Sequence, residues 1–373
     1  MVHPEQFVES LRRNGITFFT GVPDSLLKDF LAYIEAEIPR ENHITAANEG
    51  GAIGIATGYH LATSGVAAVY MQNSGLGNAT NPLISLADPD VYSIPMMLII
   101  GWRGEPGISD EPQHKKQGRI TTALLSALEI PYAIMAPEMD ASAVDSEIAH
   151  MTWIARQGRP VALVVRKGVF EAHKMPVRPS VYNLGREEAI VAVLDSMKGD
   201  EIFVSTTGKI SRELYEARKK RGEGNEKDFL TVGSMGHASQ IALGIAEQKK
   251  DRRVFCFDGD GAAIMHMGGL ATVGWVKPKN FTHIVLNNLA HESVGGQPSA
   301  ACAIDLPAIA RGCGYQSVSS VSTKEGIERA LSEMKDGPIF LEIKVGLGSR
   351  GDLGRPKESP IENKKGFMDF LSA

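Results

Sequence analysis

The chain has 373 residues, 43% hydrophobic and 22% charged, enough for two or three domains with substantial cores. A formal net charge of -5 excludes the basic footprint of a nucleic-acid-binding protein. No apolar run approaches the roughly 20 residues that span a bilayer, so neither nucleic acid nor membrane is an expected partner.

The opening stretch "MVHPEQFVESLRRNG" reads as an amphipathic helix over about residues 4–14 and lacks the apolar core of a signal peptide. The three cysteines, Cys256, Cys302 and Cys313, have no spacing that suggests a metal site or a disulfide framework. Together these features predict a cytoplasmic protein with free thiols. The strand "ITFFTG" follows, and then Pro23 is expected to open a second helix, "PDSLLKDFLAYIEAE". A short strand "HITAA" leads to a helix rich in small residues, "EGGAIGIATGYHLATS". Strand "VAAVYMQ" then enters a glycine-rich turn, and strand "PMMLIIG" comes after a further helix. Apolar strands alternating with helices predict an α/β fold with a parallel sheet covered on both faces.

Residues 171–185, "EAHKMPVRPSVYNLG", interrupt this rhythm with two prolines and read as a linker. Helix "REEAIVAVLDSM", strand "EIFVSTTG", helix "ISRELYEARKK" and strand "FLTVG" restart it. The stretch "SMGHASQIALGIAEQ" precedes strand "RVFCFDGDG", which feeds one expected helix, "AAIMHMGGLATVGW". Both halves run small-residue helix, strand, glycine-rich turn, helix. The prediction is two related doubly wound α/β domains, 1–170 and 186–373, with no central third domain.

Asp258 and Asp260 stand where the strand of "VFCFDGDG" ends. A calcium-binding loop counted from Asp258 fails, because Ala263 stands where a glycine is needed and Gly269 where a bidentate glutamate is needed. The dinucleotide fingerprint is only approached, by "GLGNAT" at 75–80. A magnesium ion holding a phosphate fits better: Asp260 supplies a hard oxygen ligand, and "NN" (Asn287, Asn288) ends the next strand at the same sheet edge. Backbone amides at the following helix start suit the phosphate itself.

"GDG" at 259–261 followed by "NN" at 287–288 resembles the signature of thiamine diphosphate enzymes. The resemblance implies that Asp260, Asn288 and the carbonyl of Ala290 hold Mg2+. It also implies that Gly259, Gly261, Ala262 and the "GSMG" turn, with Gly233, Ser234 and Met235, surround thiamine diphosphate, Met235 being the bulky residue that bends it. Gly21, Pro23, Asn73, Thr207 and Gly208 are further cofactor-binding positions by the same resemblance. Glu49, in "AANEGGAIGIATG", is the carboxylate expected against the pyrimidine ring, a catalytic role. Because Glu49 and Asp260 lie in different halves, the family pattern implies a homodimer or larger assembly with active sites at subunit interfaces.

Typical members of the family carry a third domain between these two. Its absence, with "TGVPDSLLKDF", "ANEGGAIGIATGYHLAT", "DEPQHKKQG", "TVGSMGHASQIALGIA" and "GGQPS", is similar to the smaller phosphonopyruvate and sulfopyruvate decarboxylases. The resemblance extends over nearly the whole chain and implies a 2-keto acid substrate carrying a second anion. The charged segment 103–119 reads as a loop able to close over such a substrate, with Arg103 and Lys115 as anion donors beside Lys116 and Arg119. His114 is the expected proton donor to the product after CO2 departs. Asp24 and Ser25, at the expected helix start after Pro23, are placed with the substrate, and Lys209 is a further candidate for the anion. His237 and His291 flank the cofactor motifs as packing residues or participants.

Overall fold

The computed structural model describes residues 1–175 and 179–372. The chain forms two compact units, Met1–Val177 with Ser293–Gln297, and Arg178–Glu292 with Pro298–Ala373. Residues 176–178 of the expected linker lie outside the described residues, and the rest of 171–185 holds no helix or strand.

In the first unit, strands β1 (Phe18–Gly21), β2 (His43–Thr45), β3 (Ala67–Gln72), β4 (Met96–Gly101), β5 (Tyr132–Met135) and β6 (Pro160–Val165) form one parallel sheet in the order β2-β1-β3-β4-β6-β5. Helices α1 (Pro4–Arg13), α2 (Lys28–Glu37), α3 (Glu49–Thr63), α4 (Leu76–Pro82), α5 (Pro112–Ala127) and α6 (Ala141–Ala155) surround it. The composition of β4 explains why: each of its residues is buried. Met97 and Ile99 pack into a core with Phe7, Phe30 and Val161, whereas Met96, Leu98 and Ile100 join another with Ile53 and Leu125. Successive side chains alternate between faces, so only an unbroken apolar run fits a strand covered on both.

The second unit repeats the plan with β7 (Ile202–Ser205), β8 (Asp228–Leu230), β9 (Val254–Gly259), β10 (Phe281–Asn287), β11 (Ser317–Val321) and β12 (Ile339–Lys344). Their order is β8-β7-β9-β10-β12-β11, again parallel throughout. Its helices are α7 (Arg186–Asp195), α8 (Lys209–Lys220), α9 (Ala238–Gln248), α10 (Asp260–Met265), α11 (Gly268–Val276), α12 (Leu306–Cys313), α13 (Lys324–Ser332) and α14 (Pro360–Ser372). Numbered within its own unit, each sheet reads 2-1-3-4-6-5. The shared order makes the two units structural repeats of one doubly wound fold, as the parallel sequence rhythms predict. In such sheets ligands bind beyond the carboxyl ends of the strands where the order reverses, here strands 1 and 3 of each unit.

Three expected elements differ. Helix α2 begins at Lys28, five residues beyond Pro23, so Asp24 and Ser25 do not open a helix. The buried Asp24 carboxylate instead accepts hydrogen bonds from the Leu26 and Leu27 amides at 2.9 and 3.3 Å and closes a side-chain turn. Much of the expected loop 103–119 is helical: α5 starts at Pro112, a residue suited to a first helical position, and carries His114, Lys115, Lys116 and Arg119. The single helix expected after Asp260 is two, α10 and α11, separated at His266 and Met267 just before the glycine pair Gly268–Gly269.

Candidate active site

Two polar clusters lie at the carboxyl ends of the strands, one in each unit. In the first, Asn48 caps α3 by accepting from the Gly51 amide at 2.8 Å, which fixes Glu49 as the first helical residue. Glu49 is buried, and its carboxylate accepts from the Asn78 amide at 2.8 Å. Gly75 makes room for it: a Cβ there would meet Glu49 Oε1 at 2.5 Å. Gly75→Ala is therefore expected to displace the carboxylate and to cost about 1–3 kcal/mol of stability, as overpacking does, read by urea denaturation against wild type.

Around the ends of β1, β3 and β4 the side chains bind one another closely. Asp24 is wholly buried and accepts from Gln72 Nε2 at 2.7 Å. Burial pushes its carboxyl up, against the pull of the Gln72 hydrogen bond and the backbone amides. Asn73 donates to the Arg103 carbonyl at 2.8 Å and the Thr121 hydroxyl at 2.9 Å, and accepts from the Arg103 amide at 3.2 Å. Its side chain is thereby committed to pinning the segment after β4. Gly21 ends β1, and Pro23 stands just before the Asp24 turn.

The centre of this cluster is a residue not singled out from the sequence, Asp110. It accepts from Arg103 Nε at 2.8 Å and Nη2 at 2.5 Å, from the Gly104 and Glu111 amides at 2.8 Å each, and contacts His114 Nδ1 at 2.9 Å. Burial alone would raise its carboxyl, but the hydrogen bonds from Arg103 and His114 hold it well below the usual carboxylate range. Arg103 Nη1 also donates to Ser25 at 2.8 Å, so one guanidinium links the Asp24 turn to the start of α5. His114 is buried, whereas Lys115, Lys116 and Arg119 point into solvent. The i, i+4 spacing of Asp110 and His114 in "DEPQH" was the available signal.

In the second unit, Asp260 is the first residue of α10, immediately after β9, and is buried. Its carboxylate accepts from the Ser299 hydroxyl. Burial pushes its pKa up to about 6 against that hydrogen bond. Asn288 follows β10, with Oδ1 accepting from the Ala290 amide at 3.1 Å and Nδ2 donating to Glu292 at 2.8 Å. Leu289 adopts a positive φ of 64°, and Ala290 forms an antiparallel bridge with Pro298, which returns the chain so that Ser299 reaches Asp260. Asp258 and Asn287 serve other ends. Asp258 contacts His283 at 3.3 Å, and Asn287 donates to Glu342 at 2.8 Å.

Gly261 faces the half-buried imidazole of His291: a Cβ at 261 would lie 2.9 Å from that ring and 3.5 Å from Met235 Cε. Desolvation lowers the His291 pKa to about 4, which keeps the ring neutral. Gly259 and Ala262 flank Asp260 and Gly261. The turn carrying Gly233, Ser234 and Met235 is non-helical, with Ser234 at a φ of 51°. His237 packs on His266 with ring centroids 4.4 Å apart. Thr207 and Gly208 lead from β7 into α8, and Lys209 pairs with Glu292 at 2.7 Å.

Asp260, Asn288 and Ala290 carry oxygen donors of the type that suits a magnesium ion. A buried carboxylate with one hydroxyl partner, a side-chain amide oxygen and a backbone carbonyl offer hard oxygens, and a cation would offset the desolvation that raises Asp260.

A model of the thiamine pyrophosphate enzyme N-terminal TPP binding domain matches residues 1–125, and one of the C-terminal TPP binding domain matches residues 206–343. A phosphonopyruvate decarboxylase of Streptomyces viridochromogenes is 35% identical over an alignment covering all of this chain and 96% of that protein. The chain belongs to the thiamine pyrophosphate-dependent decarboxylases. A phosphonopyruvate decarboxylase of Streptomyces hygroscopicus is 34% identical, with 100% of this chain and 94% of the relative covered. A sulfopyruvate decarboxylase of Methanosarcina acetivorans is 29% identical, with 100% and 98% covered. Among the described residues no helix is long and apolar enough to cross a membrane.

Proposed function

We propose that this enzyme converts 3-phosphonopyruvate to phosphonoacetaldehyde and CO2, with thiamine diphosphate anchored through Mg2+. The observation that carries the substrate is the end-to-end likeness to two phosphonopyruvate decarboxylases at 34–35% identity. Sulfopyruvate is the second reading, because a sulfopyruvate decarboxylase is also related along the whole chain.

When bound, thiamine diphosphate supplies a carbon nucleophile for the keto group and an acceptor for the electrons left as CO2 departs. Asp260, Asn288 and the Ala290 carbonyl would hold the cation, with Gly259, Gly261, Ala262 and the 233–235 turn beside the cofactor. Thr207, Gly208, Gly21, Pro23 and Asn73 belong to the surrounding shell. Glu49 would hold a proton at the pyrimidine edge. His114, oriented by Asp110, would deliver a proton to the product-forming carbon. Arg103, with Ser25 and Asp24 at its side, would fix the second anion of the substrate, and Lys115 would steer it from solvent. The same reading makes the working enzyme at least a homodimer, and a cytoplasmic one.

Arg103 gives this assignment its test. Arg103→Gln is expected to lower kcat/KM for phosphonopyruvate by about 10- to 150-fold more than for pyruvate, which has no second anion, the loss of one charge-assisted contact. Comparing substrates removes whatever the mutation does to His114 through Asp110. Equal losses for the two substrates would move phosphonate recognition elsewhere.

A further inference from the structure

Glu292 lies four residues beyond Asn288 and gathers three donors on two oxygens. Oε2 accepts from Asn288 Nδ2 and from Arg186 Nη1, each at 2.8 Å, and Oε1 takes the Lys209 ammonium at 2.7 Å. Arg186 is buried and spends its Nε and Nη2 on Glu213, at 2.6 and 2.7 Å. Helices α7 and α8 and the turn after β10 are thus locked together at one carboxylate.

The consequence for Asn288 is chemical. An amide side chain can present either its oxygen or its nitrogen, and the neighbours decide which. Here a carboxylate that can only accept stands at one end, and the Ala290 N–H, which can only donate, stands at the other. The orientation is fixed, and Oδ1 keeps a second lone pair.

We propose that Glu292 is a positioning residue for the divalent cation: it commits Nδ2 of Asn288 and leaves Oδ1 as the atom offered to the metal. The proposal rests on the assignment of Asp260, Asn288 and Ala290 to Mg2+. Glutamine at 292 cannot substitute, because an amide oxygen turned toward Asn288 and Arg186 leaves its NH2 facing the Lys209 ammonium.

The test is calorimetric titration of Mg2+ into metal-free protein at saturating thiamine diphosphate, for wild type, Glu292→Gln, Asn288→Ala and the double variant. Residues that orient a ligand are commonly worth 10- to 100-fold in metal affinity, so Glu292→Gln is expected to weaken Mg2+ binding by that factor. Because it acts through Asn288, the double variant is expected to bind no more weakly than the weaker single one. An affinity for Glu292→Gln within twofold of wild type, or losses that multiply in the double variant, would overturn the proposal while leaving the metal site standing. Wild-type affinity in Asn288→Ala would overturn the metal assignment itself and the proposal with it. Should Glu292→Gln fail to fold, judged by circular dichroism, Glu292→Asp carries the same cycle. Its shortened carboxylate is expected to cost affinity when Asn288 is present and none in the Asn288→Ala background, where no amide remains to be oriented.

Discussion

Asp260→Ala is expected to abolish retention of thiamine diphosphate at a Mg2+ concentration that saturates wild type. The carboxylate is the one charged ligand in the proposed set, and its burial gives a cation the greatest advantage there. Removing a metal-holding carboxylate removes the binding free energy that its charge contributes, and chelation by EDTA should reproduce the loss. The apoprotein of the variant should melt no lower than wild-type apoprotein, because a buried carboxylate without a cation is a cost that alanine removes. Calorimetry decides the matter: an unchanged cofactor affinity in Asp260→Ala would refute the metal assignment.

The second large effect is expected at Glu49. Glu49→Gln preserves the shape of the side chain and an oxygen for Asn78 to donate to, so the fold and most of the cofactor affinity should survive. What the amide cannot do is hold or exchange a proton, and positioned acid–base groups contribute typically about 10²- to 10⁴-fold. Turnover should fall within that range with little change in KM. Exchange of the bound cofactor's C2 proton, followed by NMR in D2O, should slow in parallel. Exchange as fast as in wild type would assign Glu49 to structure alone.

Much of the fold was legible because parallel strands covered on both faces leave an unbroken apolar record. "MMLIIG" and "VFCFDG" stand out as β4 and β9 from composition alone. The repeat of one architecture also showed in the order of the motifs, although the shared 2-1-3-4-6-5 strand order needed coordinates. Local signals misled where a side chain reached back to its own backbone. Pro23 promised a helix start, but Asp24 turned inward to bind the Leu26 and Leu27 amides and delayed α2 to Lys28.

Charge density misled similarly over 103–119. The segment read as a loop able to close over the substrate, yet from Pro112 on it is α5, with Lys115, Lys116 and Arg119 exposed around a buried His114. The organising carboxylates were hardest to see. Asp110 draws on Arg103, seven positions back, and Glu292 draws on Lys209 and Arg186 from 83 and 106 positions away. No periodicity announces these partners: the short segment between β4 and α5 folds Asp110 back onto Arg103, and packing of the second unit brings α7, α8 and the turn after β10 together. The residues expected to touch a ligand were visible as motifs, whereas the residues that aim them were not.

The proposed reaction is decarboxylation of phosphonopyruvate with thiamine diphosphate held through magnesium. Its most direct measurement is 31P NMR of purified protein incubated with phosphonopyruvate, thiamine diphosphate and Mg2+, with omission of each cofactor as control and sulfopyruvate assayed alongside for CO2 release. The expected result is conversion of the phosphonopyruvate signal to phosphonoacetaldehyde only when both cofactors are present, and faster CO2 release than from sulfopyruvate. An unchanged phosphonopyruvate signal while sulfopyruvate is consumed would contradict the substrate, and conversion undiminished without Mg2+ or thiamine diphosphate would contradict the chemistry.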